Sequence, residues 1–320
     1  MDILDQYTTM NLPYLRISLT PDCNAACSFC HNDGQLTGRR GLESLVESSI
    51  PFTELNFLAK SFKQLFSRVK FTGGEPTLVK ELPDIVRLFD TEGYDTSITT
   101  NGFLLDENMQ RILSSAGLKS VNVSIPSLDQ KQYSETFGIA PSIEEVLHHV
   151  HTLPDTFPNN VKINYMALPG KTAPDFEQQL YENDQLVPLL QLSSELQGTP
   201  ISIMQLVSKS DGEYLTDLLS YAEKQVGPAF EMQIPGGINR RHVVFANGGV
   251  VEHDDFRDDH YREKIFDNPY CERCEVKESC VEGPYALRVG TNLRSNETFL
   301  KPCLIRTDNE TYLNTVMGTQ

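Results

Sequence analysis

Six short runs rich in apolar and β-branched residues recur through the first two-thirds of this chain, at 15–20, 69–72, 96–100, 120–125, 161–166 and 201–206. Segments with helical period lie between them. Leu55, Leu58, Ala59, Phe62, Leu65 and Phe66 form one such stripe, Leu105, Met109, Ile112, Leu113 and Ala116 a second, and Ile143, Val146, Leu147 and Val150 a third. Ser142 and Glu145 read as a capping box at the start of the third. A helix after each strand returns the chain to the same edge, so the expected class is α/β with a parallel sheet. In curved parallel sheets, function collects at the C-terminal ends of the strands. Here CNAACSFC follows the first run, FTGGEPTL closes the second and TTNG closes the third.

CNAACSFC places Cys23, Cys27 and Cys30 in a C-x3-C-x2-C spacing. Thiolates at this density point to zinc or to an iron–sulfur cluster. Zinc would need a fourth ligand, for which His31 is adjacent, although side chains of neighbouring residues diverge. A [4Fe–4S] cluster would be left with one iron that no protein ligand holds. Gly73-Gly74-Glu75-Pro76 reads as a strand-to-helix turn, with glycines that admit close backbone approach and a carboxylate able to accept from an ammonium.

The remaining cysteines are Cys271, Cys274, Cys280 and Cys303. Beyond residue 230 the sequence becomes turn-rich, and a small C-terminal domain (230–320) is expected after a core domain (1–229). Lys and Arg number 27 against 44 Asp and Glu, a formal charge of −17. That excess argues against nucleic-acid or anionic-membrane partners, because no summed positive field would steer them. No run reaches the roughly 18 apolar residues of a membrane span, no signal peptide is visible, and the expected location is cytoplasmic.

The three-cysteine spacing followed by GGEP resembles the radical S-adenosylmethionine (SAM) superfamily. That resemblance implies a partial (β/α)6-type barrel. It implies a [4Fe–4S] cluster on Cys23, Cys27 and Cys30, with SAM chelating the open iron. Reductive cleavage of SAM would then yield a 5′-deoxyadenosyl radical that abstracts hydrogen from the substrate. Gly73, Gly74 and Glu75 would hold the methionine end, with Asn101 and Ser124 as further SAM contacts. YLRISLTPDCNAACSFCH, KFTGGEPTL, ITTNGFLL, VNVSIPSLD and KINYMALPG, in this order, resemble the GTP 3′,8-cyclase (MoaA) family of molybdenum-cofactor biosynthesis. The positions matching its GTP contacts are Arg16, Arg68, Lys162 and Arg288.

The chain also departs from that family. An RFIE-like strand is replaced by PISIMQLV, and a Gly-Gly end by MGTQ. The family's second cluster has three cysteines, whereas Cys271, Cys274, Cys280 and Cys303 resemble the auxiliary clusters of SPASM and Twitch extensions, which four thiolates saturate; four cysteines also suit zinc, and with Cys280 a bystander the cluster would stay three-coordinate. Two enzymatic readings therefore stand: a GTP-cyclase-like rearrangement, or maturation of a peptide or small natural product with the second [4Fe–4S] cluster relaying electrons. Either would draw on a reductant such as flavodoxin or ferredoxin. The non-enzymatic alternative is a zinc-stabilised binding module.

Overall fold

The computed structural model describes residues 7, 12–27, 30, 50–138, 140–167, 186–205, 212–233, 240–254, 271–272, 274, 286–292, 295–303 and 310–318. Strands and helices alternate as β1 (Leu15–Ser18), α1 (Phe52–Ser61), β2 (Arg68–Thr72), α2 (Leu82–Thr91), β3 (Asp95–Thr100), α3 (Glu107–Ser115), β4 (Ser120–Ser124), α4 (Gln130–Phe137), α5 (Ile143–His151), α6 (Leu153–Thr156), β5 (Val161–Ala167), α7 (Leu186–Glu195), β6 (Ile201–Gln205) and α8 (Gly212–Val226). β1 to β6 pair in sequence order, all parallel, so the strand-then-helix pattern becomes a parallel sheet.

Period-2 alternation then assigns the two faces of the sheet. Leu15, Ile17, Val69, Phe71, Ile98, Val121, Val123 and Ile163 are buried in the main core. That face packs on the helices: Phe71 meets Phe89 of α2 edge-on at 5.3 Å. The intervening residues Arg16, Lys70, Ser97, Asn122 and Lys162 turn to the opposite face. Strand register therefore places these polar side chains together.

Strands beyond the sixth helical crossover extend the same sheet at both edges. β7 (Ala229–Gln233), β8 (Arg240–Phe245) and β9 (Val250–Asp254) form an antiparallel meander that joins β6 through a parallel β6–β9 pairing. At the other edge β10 (Leu287–Asn292) runs parallel to β1, followed by antiparallel β11 (Glu297–Lys301), β12 (Thr311–Tyr312) and the short helix α9 (Leu313–Met317). The sheet order among described residues is β12-β11-β10-β1-β2-β3-β4-β5-β6-β9-β8-β7, open rather than a closed barrel. The expected boundary near residue 230 falls inside β7, and the strands after it belong to this one sheet. No helix among the described residues is long and apolar enough to cross a membrane.

The helical stripes hold with one exception. Ser142 caps α5, its hydroxyl accepting from the Glu145 N–H. On α3, however, Ile112 is exposed while Gln110 is buried. The Gln110 Nε2 donates to Leu105 O at 2.9 Å and His149 O at 2.8 Å, and its Oε1 accepts from the Thr152 hydroxyl at 3.1 Å. A polar plug with every bond satisfied fills that position, which a hydrophobic period does not anticipate.

Candidate active site

The cysteine loop leaves β1 and is fastened at once to the end of β2. Gly74 N–H donates to Thr20 O at 2.6 Å and Glu75 N–H to Asp22 O at 2.7 Å. The approach is so close that a Cβ on Gly74 would lie 2.0 Å from Asp22 O. Gly73 has φ +149°, and a Cβ there would meet Thr20 O at 2.4 Å. Both positions require glycine because backbone passes against backbone. The close neighbour at both glycines is the chain's own cysteine loop.

Glu75 is turned inward and is 1% exposed. Its Oε1 accepts from Thr77 N–H at 3.0 Å, Thr77 Oγ1–H at 2.6 Å and Thr100 Oγ1–H at 2.6 Å, and its Oε2 from Asn101 N–H at 2.8 Å. Burial pushes this carboxyl above its ordinary range, and the four hydrogen bonds oppose that push. The carboxylate expected to meet an ammonium thus ties the end of β2 to the end of β3. Asn101 carries the tie onward. Its Nδ2 donates to Asn24 Oδ1 at 2.7 Å, inside the cysteine loop, while its Oδ1 accepts from Phe103 N–H at 3.0 Å. Asn24, read only as a spacer in the motif, joins the β1 and β3 loops.

The far side of the cysteine loop rests on α4. Ala26 N–H donates to Phe137 O at 2.7 Å, and Gly138, at φ +73°, lies against Ala26. Burial raises the Cys23 thiol to about 12, with Glu75 and Cys30 adding to the rise. Burial raises Cys27 to about 12 as well, and Cys30 and Cys23 add to it. Ala25 N–H donates to Cys23 Sγ at 3.4 Å. Thus three thiols and a buried carboxyl bear on one another electrostatically. As anions they need a positive partner, which a metal centre supplies.

The polar face of the sheet carries a row of cations. Lys70, Arg16, Arg288 and Lys301 stand in register across β2, β1, β10 and β11. Arg288 is 2% and Lys301 0% exposed. Lys301 lies 3.6 Å from Glu310 and 5.2 Å from the Phe299 ring centroid. Burial lowers its pKa; Arg288 lowers it further, while Glu310 and Cys303 oppose the shift. Lys70, not the predicted Arg68, is level with Arg16; Arg68 sits exposed at the start of β2, paired in register with Asp95. Lys70 and Lys301 are functional candidates that the sequence reading missed. Strand alternation from Arg16 and Arg288 was the signal for them.

Lys162 shares that face, level with Asn122, but it pairs with Glu252 of β9. His242 of β8 lies 3.2 Å from the other oxygen of Glu252. Ser124 is on the same face at the end of β4, level with Asn164. At the C-terminal cysteines, Cys274 N–H donates to Cys271 O at 3.1 Å, and Cys271 and Cys303 are buried. Cys280 and His31 lie outside the described residues. Among the described residues, no three His, Cys, Asp or Glu side chains group as a single metal-ion site.

Residues 17–180 match the radical SAM superfamily. The chain belongs to that superfamily. This radical SAM chain is 27% identical to a probable GTP 3′,8-cyclase of Archaeoglobus fulgidus over 92% of its own length and 86% of the relative's. It is 34% identical to a probable GTP 3′,8-cyclase of Pyrococcus abyssi, but over 49% of this chain and 48% of that one. Against the latter the chain spans about half the relative's length. The structure of Streptococcus suis SuiB bound to precursor peptide SuiA superposes with a TM-score of 0.52 at 19% identity, over 70% of this chain and 48% of that one. That likeness is one of fold.

A radical SAM enzyme uses a [4Fe–4S] cluster and SAM, and the residues present fit that pair. Three thiols gathered in one loop, two of them half-buried with pKa values raised by burial, suit iron in a cluster. The interlocked ends of β2 and β3 give the loop a fixed floor beside them.

Proposed function

We propose that this radical SAM enzyme acts on a nucleoside triphosphate, in a rearrangement like that named for its GTP 3′,8-cyclase relatives. The observation that carries the reading is the row Lys70, Arg16, Arg288 and Lys301 on one face. Four basic side chains level on neighbouring strands, with Lys301 already met by Glu310, concentrate positive charge along one line of the face. A polyphosphate laid over the row offsets that charge, with arginine forks matched to phosphate oxygens.

In this reading Cys23, Cys27 and Cys30 hold the catalytic cluster, and the backbone at Gly73 and Gly74, with Asn101 and Ser124, lines the SAM site. Glu75 acts by fixing those backbones. The cluster with SAM, when bound, supplies one-electron cleavage and hydrogen abstraction. The chain's own work is orientation and exclusion of water. Arg16, Lys70 and Arg288 fix the phosphate end. Lys162, neutralised by Glu252, faces the uncharged sugar and base, a placement supported by the ion pair. Cys271, Cys274, Cys280 and Cys303 would carry the auxiliary cluster as an electron relay, fed by a flavodoxin- or ferredoxin-type donor.

The second reading, maturation of a peptide, draws on the same ion pair: one matched cation is already answered by a carboxylate. One experiment separates the two. Reconstituted protein incubated with GTP, SAM and reductant should give a cyclised product isomeric with GTP. SAM cleavage without any GTP-derived product refutes the nucleotide reading and leaves the peptide one.

A further inference from the structure

Tyr133 sits in the middle of α4, fully buried, with its ring 4.9 Å from that of Phe137 and 6.4 Å from that of Phe103. Among the described residues its buried hydroxyl oxygen has no hydrogen-bond partner. Such a group is expensive inside a protein, and phenylalanine would fill nearly the same volume without it. The hydroxyl therefore calls for an acceptor other than the protein atoms around it.

The helix is docked on the cysteine loop. One turn beyond Tyr133, Phe137 O accepts from Ala26 N–H and Gly138 lies against Ala26, the residue before Cys27. Cys27 packs against the core to which Tyr133 belongs. A cluster held by Cys27 brings anionic sulfur to this spot, and sulfur accepts from O–H donors.

We propose that Tyr133 is a positioning residue for the catalytic cluster, donating its O–H to the sulfur at the Cys27 corner. Such a bond stabilises the more negative, reduced state and so raises the cluster's potential. It also fixes which way the Cys27 thiolate leans. The inference rests on the assignment of Cys23, Cys27 and Cys30 as cluster ligands.

The test is Tyr133→Phe in the reconstituted full chain, by redox titration followed through the paramagnetic signal that changes when SAM is added. The expected result is a lower midpoint potential than wild type, with loss of an exchangeable-proton coupling to the cluster in deuterated buffer. A role confined to packing would move neither. A second measurement uses the full chain freed of iron, in which Tyr133→Phe should melt at or above the wild-type temperature. Unchanged potential and coupling would overturn the proposal; so would a marked loss of stability in the iron-free variant, because the hydroxyl would then have a protein partner. Failure of the wild type to assemble any SAM-responsive cluster would overturn the ligand assignment, and this proposal with it.

Discussion

Replacing Gly74 by alanine tests the clamp between the cysteine loop and β2. The added Cβ would lie 2.0 Å from Asp22 O, 2.4 Å from Asp22 C and 2.6 Å from Pro21 O, all backbone atoms that no rotamer change can move. The loop and the strand end must separate. That breaks the 2.6 Å bond from Gly74 N–H to Thr20 O and strains the 2.7 Å bond from Glu75 N–H to Asp22 O. Overpacking together with two weakened hydrogen bonds costs about 2–6 kcal/mol. For a chain of 320 residues this is a fall of roughly 3–9 °C in thermal unfolding. Gly318→Ala, whose Cβ would make only an ordinary 3.4 Å contact with Asn314 O, is the control and should melt like wild type. Iron content after reconstitution should fall in Gly74→Ala alone, since the displaced loop carries Cys23 and Cys27. A Gly74→Ala protein that melts with the control and keeps full iron and the SAM response would show that the close approach is not needed, and the argument from backbone contact would fail.

Glu75→Gln places an amide N–H₂ among four donors, so at least one N–H loses its acceptor, for a cost of about 1–3 kcal/mol measured by chemical denaturation. Because burial raises the Glu75 pKa from 4.5, the folded state binds the proton more tightly than the unfolded one. Its linkage contribution is therefore full below pH 4.5 and is lost as pH rises through the folded value, and the wild-type advantage over Glu75→Gln should shrink across that interval. An advantage that grows with pH would reverse the sign argued here. Asn24→Ala removes the bond to Asn101 and should weaken SAM binding in calorimetry while lowering stability by only about 0.5–1.5 kcal/mol. Unchanged SAM affinity would mean that the Asn24–Asn101 contact does not position the site.

The β1–β6 scaffold was legible because alternation and helical period each extend over several residues and agree with one another. The three loops at strand ends were legible for the same reason: chemistry-bearing residues interrupt a regular pattern at equivalent places. What escaped the sequence depends on pairing between distant segments. Glu252 answers Lys162 across ninety positions of sequence, a fact of the β6–β9 junction and of no local motif. Lys301 lies fully buried, where lysine is among the least expected residues, and it comes level with Arg288 only once β10 and β11 are paired. Arg68 drew notice ahead of Lys70 by resemblance, although register with Arg16 favours the lysine. Glu75 shows a subtler gap. Its carboxylate was visible, but its partners Thr100 and Asn101 come together with it only once β2 and β3 are paired.

The pairing of β10 with β1 bears on how the molecule is made. Leu15 meets Leu287, and Arg16 meets Arg288, so the first strand finds one of its two neighbours only after almost all the intervening chain has been synthesised. β2 is available early, and β1 to β6 can assemble as they emerge, each contact being local in sequence. The Arg16–Arg288 junction cannot. Closing so long a loop is slow rather than prohibitive, because its entropic cost grows only logarithmically with length. A nascent chain can therefore hold its cysteine loop against β2 well before Arg16 and Arg288 stand level. A product truncated before β10 would keep the clamp between the cysteine loop and β2 but lack the Arg16–Arg288 pairing.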